Sequence, residues 1–427
     1  MNWMWQRLEF DEPAIAPAAM RHSASARPLS RTTKSQASSL HIELRSLISC
    51  RAITPQWQEL AGRAVEANIF AEADIMVAAA HHLPARHAPA ALVVFANNKP
   101  GAKLLALVPL ETARMPLLPD AMRGYVTPYH PVGVPLIDKT HAVAVLRAIF
   151  NWMAEQGHQP GTNNRSLGAS GMLWKHVPLD GAFAHAVAQA ASSDLRQVDI
   201  LEKTRRPILT PPAKTSGRMP ASLPSKLRSD LERRRRRLAD HGEIRFVETS
   251  SGSALRDAVE TYMILEASSW KGRRGTALVQ NARTSCFIRA ASRMMSLHGH
   301  FNVLTLHSGD VPIAAAITLE ANARSWAYKI AYDDAFAKMS PGLILAAEFC
   351  RRQQAKPAGH ITDSCMDEPN PILAQLWNDE ANYGDLLVAT TPGKTPGAIA
   401  MRMRERFRRY LRSSAKIIYR KAMGYTR

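Results

Sequence analysis

The stretch SWAYKIAYDDAFAKMSPGLILAAEFC, from Ser325 to Cys350, decides the fold. Trp326, Tyr328 and Ile330 alternate along it, which predicts a strand with one buried face. A loop follows, and then a helix announced by Ser340 as N-cap and Pro341 at the first helical position, where a missing N–H costs no bond. Gly342 has no Cβ, so a ligand can approach the backbone N–H groups of the helix start, and the positive helix end favours an anion such as a pyrophosphate. The same triplet also opens helices that bind nothing. Its neighbours decide between the two readings.

Before this stretch the periodicity predicts a strand from Ile244 to Glu248, helices from Ala254 to Trp270 and from Arg283 to Leu297, and strands from Asn302 to His307 and from Pro312 to Leu319. After it come a helix from Pro341 to Gln354, a strand from His360 to Cys365, a helix from Pro371 to Ala381 and a strand from Leu386 to Ala389. The second half of the chain therefore reads as a three-strand meander flanked by helices, followed by α, β, α, β.

At 427 residues the chain is long enough for two bodies. Residues 1–40, rich in Ser, Ala, Arg and Thr, are expected to be disordered. Residues 41–203 form a first α/β body. Its helix opens at Thr54-Pro55 and runs through Ala67, and strands span Ile75 to Ala79, Ala91 to Phe95 and Leu104 to Leu110. A Pro-rich loop, Thr127-Pro128-Tyr129-His130-Pro131, precedes a helix from Lys139 to Gln156. Leu173 to Val177, a helix from Gly181 to Ala191 and Arg196 to Leu201 complete it. Proline-rich residues 204–225 read as a linker, 226–395 as the second body and 396–427 as a basic amphipathic helix.

The formal charge is +19, and nearly all of it falls between Lys203 and Arg237 and between Thr395 and Arg427. An anionic partner is expected: a CoA phosphate, a lipid headgroup or a nucleic acid. In SKLRSDLERRRRRL, Leu227, Leu231 and Leu238 share a helical face, with Asp230 and Glu232 four residues ahead of Arg234 and Arg236. That pattern favours a solvated, partly ion-paired face over a nucleic-acid patch. In the tail, Met403, Phe407, Tyr410, Leu411, Ile417 and Ile418 recur at helical spacing among arginines, which suits either a docked helix or an anionic membrane surface.

No run of about 18 apolar residues is present, and the N-terminus MNWMWQRLEFDEP carries acids where a secretory signal is basic and then apolar, so a cytoplasmic protein is expected. Cys50, Cys286, Cys350 and Cys365 are scattered and read as reduced thiols. His81, His82 and His87 have no further ligand at a matching interval, so no metal is expected.

The blocks WKGRRGTAL (Trp270 to Leu278), PIAAAITL (Pro312 to Leu319), YKIAYDDAFAKMSPG (Tyr328 to Gly342) and DSCMDEPNPILAQLW (Asp363 to Trp377) resemble the CelD/BcsL group, acetyltransferases linked to cellulose biosynthesis with a BioF2-like domain. The order of elements resembles the GNAT superfamily, in which the helix after the fourth strand holds the CoA pyrophosphate. PQWQELAGRAVEANIF near the start of the first body resembles the N-terminal half of the same group. Related FemAB-like proteins pair two GNAT-like folds. The resemblance thus implies an α/β fold of two tandem GNAT-like domains, with mixed, mostly antiparallel central sheets flanked by helices. It implies acetyl-CoA as co-substrate at Lys338, Met339, Ser340, Pro341 and Gly342, and a polysaccharide, amino sugar or other small polar acceptor. The loop departs from the usual GNAT pattern of Arg or Gln, two residues, Gly, one residue, Gly or Ala.

Direct acyl transfer needs a base for the acceptor and an acid for the leaving thiolate. Asp363, at a predicted strand end, is a candidate base, or else a cap for the following loop. Glu266 is a second candidate, and Tyr332 a candidate acid. Trp270, Lys271, Lys329 and Asp333 are candidates to line the acceptor cleft. Lys329 lies on the face of its strand opposite Trp326 only if the alternation holds strictly, so both the cleft and water stay open for it. A FemAB-like transfer from charged tRNA, and a ligand-free scaffold docking through the tail, are the alternatives.

Overall fold

The computed structural model describes residues 40–83, 89–111, 121–156, 170–211, 223–366 and 371–422. Of residues 1–40, expected to be disordered, 1–39 lie outside this range, as do His87, residues 212–222 of the linker and the side chains of Lys416, Ile417 and Ile418.

The first half runs β1 (His41–Ser46), α1 (Thr54–Gly62), α2 (Ala73–His82), β2 (Ala90–Phe95), β3 (Leu104–Glu111), β4 (Ala121–Gly124), β5 (Leu136–Ile137), α3 (Ala142–Gln156), β6 (Gly171–Pro178), α4 (Ala182–Ser193) and β7 (Val198–Leu209). The second runs α5 (Ser225–Ala239), β8 (Ile244–Thr249), α6 (Gly252–Ser268), α7 (Trp270–Arg273), α8 (Ala282–Ser296), β9 (Phe301–Ser308), β10 (Val311–Ala321), β11 (Arg324–Tyr332), α9 (Pro341–Gln354), β12 (Ile361–Asp363), α10 (Pro371–Ala374), β13 (Asp379–Ala389) and α11 (Pro396–Ala422). Strands β9 to β11 form the expected three-strand antiparallel meander, β8 joins it antiparallel to β9, and β12 adds in parallel to β11.

The halves share one sheet, ordered β1-β2-β3-β4-β6-β13-β7-β12-β11-β10-β9-β8, with β5 on β3. They exchange strands to build it. The last strand of the second half, β13, lies between β6 and β7 of the first, and β7 in turn pairs with β12. Residues 204–209, expected to begin the linker, are therefore the end of β7. Their backbone groups find partners in β13 and β12, which local composition does not register. The same pairing shortens the predicted helix over 371–381, because Asp379 already pairs with Ile208.

One hydrophobic core runs through both halves, from Ile42 and Trp57 to Phe287 and Val388. A second lies on the other face of the meander, where α5 and α9 bury Leu227, Leu231, Leu238, Ile344 and Phe349. The predicted strand at Ile75 to Ala79 is instead part of α2, buried almost throughout against α8. A helix with no polar face shows no 3.6-residue period, and its apolar run reads like a buried strand. Helix α1 stops at Gly62 rather than Ala67, since Arg63 turns away to Asp138 at 2.9 Å and to the Leu104 carbonyl at 2.6 Å.

Candidate functional site

The β10–β11 pairing is irregular: Ile317 faces Lys329 and Thr318 faces Ala327, which leaves Tyr328 as an extra residue on β11. A bulge of this kind turns consecutive side chains toward one face. Trp326 and Tyr328 enter the core shared with α6 and α8. The Lys329 ammonium stays on their side, 5.1 Å from the ring centres of both Tyr328 and Tyr129. Ile330 falls on the opposite face, against α9. The predicted alternation of Trp326, Tyr328 and Ile330 fails at the bulge, and the same offset buries Lys329.

Beneath Lys329, at the end of α6, lies Glu266. Its Oε1 accepts from Lys271 Nζ at 2.7 Å and the Tyr262 hydroxyl at 3.0 Å, and its Oε2 accepts from the Leu278 N–H at 2.8 Å. Burial pushes this carboxyl up, but the Lys271 and Lys329 ammoniums and the Leu278 N–H outweigh burial and hold it below the usual carboxylate range. Lys271 is buried in α7, whose start is capped by Ser269. The turn from α6 into α7 requires Gly272, where a Cβ would stand 1.7 Å from the Ala267 carbonyl oxygen. Trp270 is half-buried, with the Arg274 guanidinium 5.2 Å from its ring centre.

The opposite wall comes from the first half. The loop from Thr127 to Pro131 closes on itself, the His130 N–H donating to the Thr127 carbonyl at 2.9 Å, with His130 Nδ1 2.8 Å from the Thr127 hydroxyl. Its Tyr129 carbonyl accepts from the Tyr328 hydroxyl at 3.1 Å, and its Pro131 carbonyl from Arg206 at 3.4 Å. The Tyr129 and His130 rings lie 5.6 and 5.9 Å from Phe287. Burial pushes the His130 imidazole down to about 3, so it is neutral. Its Nε2 meets no hydrogen-bond partner among the described residues. In the sequence this segment reads only as a loop; two aromatic rings between prolines, Tyr129 and His130, are the available signal for a rigid wall.

Asp363 ends β12. Its Oδ1 accepts from the Cys365 N–H at 2.7 Å, and its Oδ2 from the Tyr383 hydroxyl and from Arg206 Nη1 at 3.5 Å. The Arg206 guanidinium lies 4.1 Å from the centre of the Tyr383 ring. Strands β12, β7 and β13 thus meet in one buried ion pair with a phenol.

The helix start differs from its expected form. Ser340 is left-handed, with φ 50° and ψ 56°, and its side chain does not cap α9. Its Oγ accepts instead from Arg234 Nη1 at 2.6 Å, and Asp230 holds the same guanidinium at 2.6 Å. The basic helix α5 thereby sets a cation beside the N-terminus of α9. A Cβ at Gly342 would stand 2.9 Å from Tyr332 Cδ1, so the absent side chain makes room for that ring. Burial and then Asp334 push the Tyr332 hydroxyl up, and it keeps its proton at neutral pH. Asp333 caps the turn over Asp334–Met339 by accepting from the Ala335 N–H at 2.9 Å. Lys338 is exposed, and Met339 packs at the edge of the second core.

Two groups of candidate residues emerge, one on each side of β11. Glu266, Lys271 and Lys329 cluster with Tyr129 and Tyr262; Tyr332, Ser340 and Gly342 gather with Arg234. An ion pair of 2.7 Å between Arg273 in α7 and Asp334 in the turn before α9 ties the groups together. Asp363 belongs to neither, its partners being Arg206 and Tyr383. Between α9 and the meander lies a small apolar cavity of about 20 Å³, lined by Ala316, Ala327, Ile330, Ala346, Phe349 and Trp377. Among the described residues, no group of three His, Cys, Asp or Glu side chains is placed to hold a metal ion.

Residues 225–360 match the family model described as an acetyltransferase (GNAT) domain. No curated protein matches the sequence. Among solved structures, the chain is similar to FemX, with 11% identity and a TM-score of 0.50 over 78% of this chain and 95% of that one. A conserved protein of unknown function from Bacteroides thetaiotaomicron gives 10% identity and a TM-score of 0.49 over 82% and 99%. A tandem GNAT protein from the clavulanic acid biosynthesis pathway gives 13% identity and a TM-score of 0.39 over 83% and 100%. At such identity the FemX likeness is one of fold. The domain match makes the chain an acyltransferase, and its mixed α/β architecture, with a large, mostly antiparallel sheet flanked by helices, is the GNAT kind.

Proposed function

We propose that the protein is an acyl-CoA-dependent N- or O-acyltransferase of the CelD/BcsL kind, with acetyl-CoA as donor and a polysaccharide, amino sugar or other small polar acceptor. The observation that carries this reading is the α9 helix start with Arg234 beside it. Pro341 has no N–H, and the Leu343 and Ile344 N–H groups donate to the Ser340 carbonyl at 3.0 and 3.2 Å, so the Gly342 N–H, the positive helix end and a guanidinium on one side are what suit a pyrophosphate, and Arg234 offsets the missing glycine-rich loop. Residues Lys338 to Gly342 hold the CoA phosphates in this reading. In this reading a CoA donor supports a cytoplasmic reaction, and the resemblance to the CelD/BcsL group supports a link to cellulose or exopolysaccharide synthesis.

The acceptor amine or hydroxyl attacks the thioester carbonyl over the end of β11. Lys329, buried between two phenol rings, carries the positive charge that the oxyanion needs in a low dielectric. Tyr332, protonated and next to the helix start, donates to the leaving thiolate. Glu266 has its lone pairs engaged and is held as a carboxylate, so its role is to position Lys271 and Lys329. Asp363, engaged by Arg206, Tyr383 and the Cys365 N–H, serves as the base only after giving up one of these partners. Trp270, Lys271 and Asp333 border the acceptor.

The test combines heat stabilisation of the purified protein by CoA and acetyl-CoA with release of free CoA in the presence of amine and sugar acceptors. A raised melting temperature and acceptor-dependent thiol release are expected. Neither with any CoA ester would sink the proposal. A transfer from charged tRNA is the second reading, favoured by the exposed Arg235, Arg236 and Arg237 on α5. Salt-sensitive tRNA binding without CoA binding would decide for it. A scaffold would show neither and would lose its partner when α11 is removed.

A further inference from the structure

Helix α11 is docked with its polar side inward. Ala398 and Met401 are buried, and ion pairs dominate the rest: Glu405, 2% exposed, pairs with Arg123, and Arg402 reaches Asp199 at 2.7 Å and the Gln197 amide oxygen at 2.8 Å. Arg409 reaches Glu202 at 2.6 Å and Asp385 at 2.5 Å. The opposite side is apolar and faces solvent. Met403 is 68% exposed, Phe407 61%, Tyr410 67% and Leu411 51%, with Ile399 in line at 43%. At 3.6 residues per turn these five make one continuous stripe. Arg404 and Arg408 border it on one side and Arg406 on the other. A surface helix of a globular protein normally buries its apolar stripe; here the ion pairs hold the stripe outward.

We infer that α11 is a docking surface for an anionic lipid bilayer, with the stripe in the headgroup–acyl boundary and the flanking arginines on the lipid phosphates. Charge selects this occupant. A second copy of the helix would set the same arginines against each other, and a nucleic acid would pair with the guanidiniums while leaving Met403 and Leu411 in water. Among the described residues no helix is long and apolar enough to cross a membrane, so α11 lies in the plane of the interface. The ion pairs to Asp199, Glu202 and Asp385 orient the molecule on that plane. This surface is independent of which acceptor the transferase uses.

The test is flotation of the full-length protein with vesicles of phosphatidylcholine alone or with about a third phosphatidylglycerol, at low salt and at ~0.5 M salt. Binding at least tenfold stronger to the anionic vesicles, weakened by salt, is expected. Met403→Ser/Phe407→Ser/Leu411→Ser is expected to lose at least tenfold of that binding while keeping the parent's circular dichroism and melting temperature, since all three side chains are exposed. Phe407→Asp is the single-residue control and should lose binding in the same direction. Absence of binding to anionic vesicles, equal binding to neutral ones, or undiminished flotation of the variants would overturn the inference. So would retention on tRNA, or self-association, that depends on the stripe while vesicles do not bind.

Discussion

Arg234 leaves its own helix to donate from Nη1 to Ser340 Oγ at 2.6 Å, while Asp230 fixes its Nε at 2.6 Å from the other side. A guanidinium held in this way is ready to meet a phosphate without first being ordered. Arg234→Ala is expected to weaken CoA binding about tenfold, ~1.4 kcal/mol, and Arg234→Lys to recover part of it. Isothermal titration with CoA reads this directly. Unchanged affinity in Arg234→Ala would remove the residue from the donor site.

Lys329→Met keeps much of the side-chain volume and deletes the charge between Tyr129 and Tyr328. If that charge stabilises the developing oxyanion, kcat should fall about 100- to 1,000-fold with little change in the donor KM. Steady-state kinetics with the acceptor found by CoA release separate the two constants. A rise in KM alone would make Lys329 a binding residue only.

Breaking the Glu266–Lys271 pair strands a buried ammonium. Glu266→Gln should cost about 3–5 kcal/mol in urea unfolding, because a neutral amide cannot balance Lys271 and Lys329. The double variant Glu266→Gln/Lys271→Met should regain a large part of that loss. Equal stabilities of single and double variants would show that the pair is not coupled.

His130 makes stability depend on pH in a defined sense. Its folded value, about 3, lies below the ordinary imidazole value, so the unfolded chain binds the proton first as pH falls. Stability contributed by the neutral ring is complete above about pH 6.5 and drains at up to ~1.4 kcal/mol per pH unit toward the folded value. His300 works oppositely: its hydrogen bond to Glu72 raises it, so its contribution is full below its unfolded value and is lost as pH rises through the folded one. Glu266, held low, begins to lose its contribution only where carboxylates protonate, near pH 4 and below. Melting temperatures between about pH 4.5 and 6.5 isolate His130 from Glu266. His130→Phe, set among Phe70, Tyr125 and Phe287, should flatten the slope in that window. An unchanged slope would place the titrating group elsewhere.

Much of the fold was legible because its elements obey local rules. Leu227, Leu231 and Leu238 sit at helical spacing and are buried as that spacing demands, and Asp230 does pair with Arg234 four residues on. The meander announced itself by alternation and by turns. The helix start at Pro341 was visible for the same reason. Less was legible in the candidate site. Lys329 is buried because one extra residue on β11 offsets its pairing with β10, and nothing in the strand's own composition marks where that residue falls. Asp363 finds Arg206 and Tyr383 only because β13 inserts beside β7.

By itself the sequence determined the order of helices and strands in the second half, the helix start after the meander and the two basic segments, since these follow from spacings of two to four residues. Tertiary structure alone decided that the halves share one sheet, that the loop at Tyr129 and His130 walls the buried lysine, and that Arg234 stands at Ser340. Those are contacts between residues tens to hundreds of positions apart. They depend on strand register and helix packing, which no local period encodes.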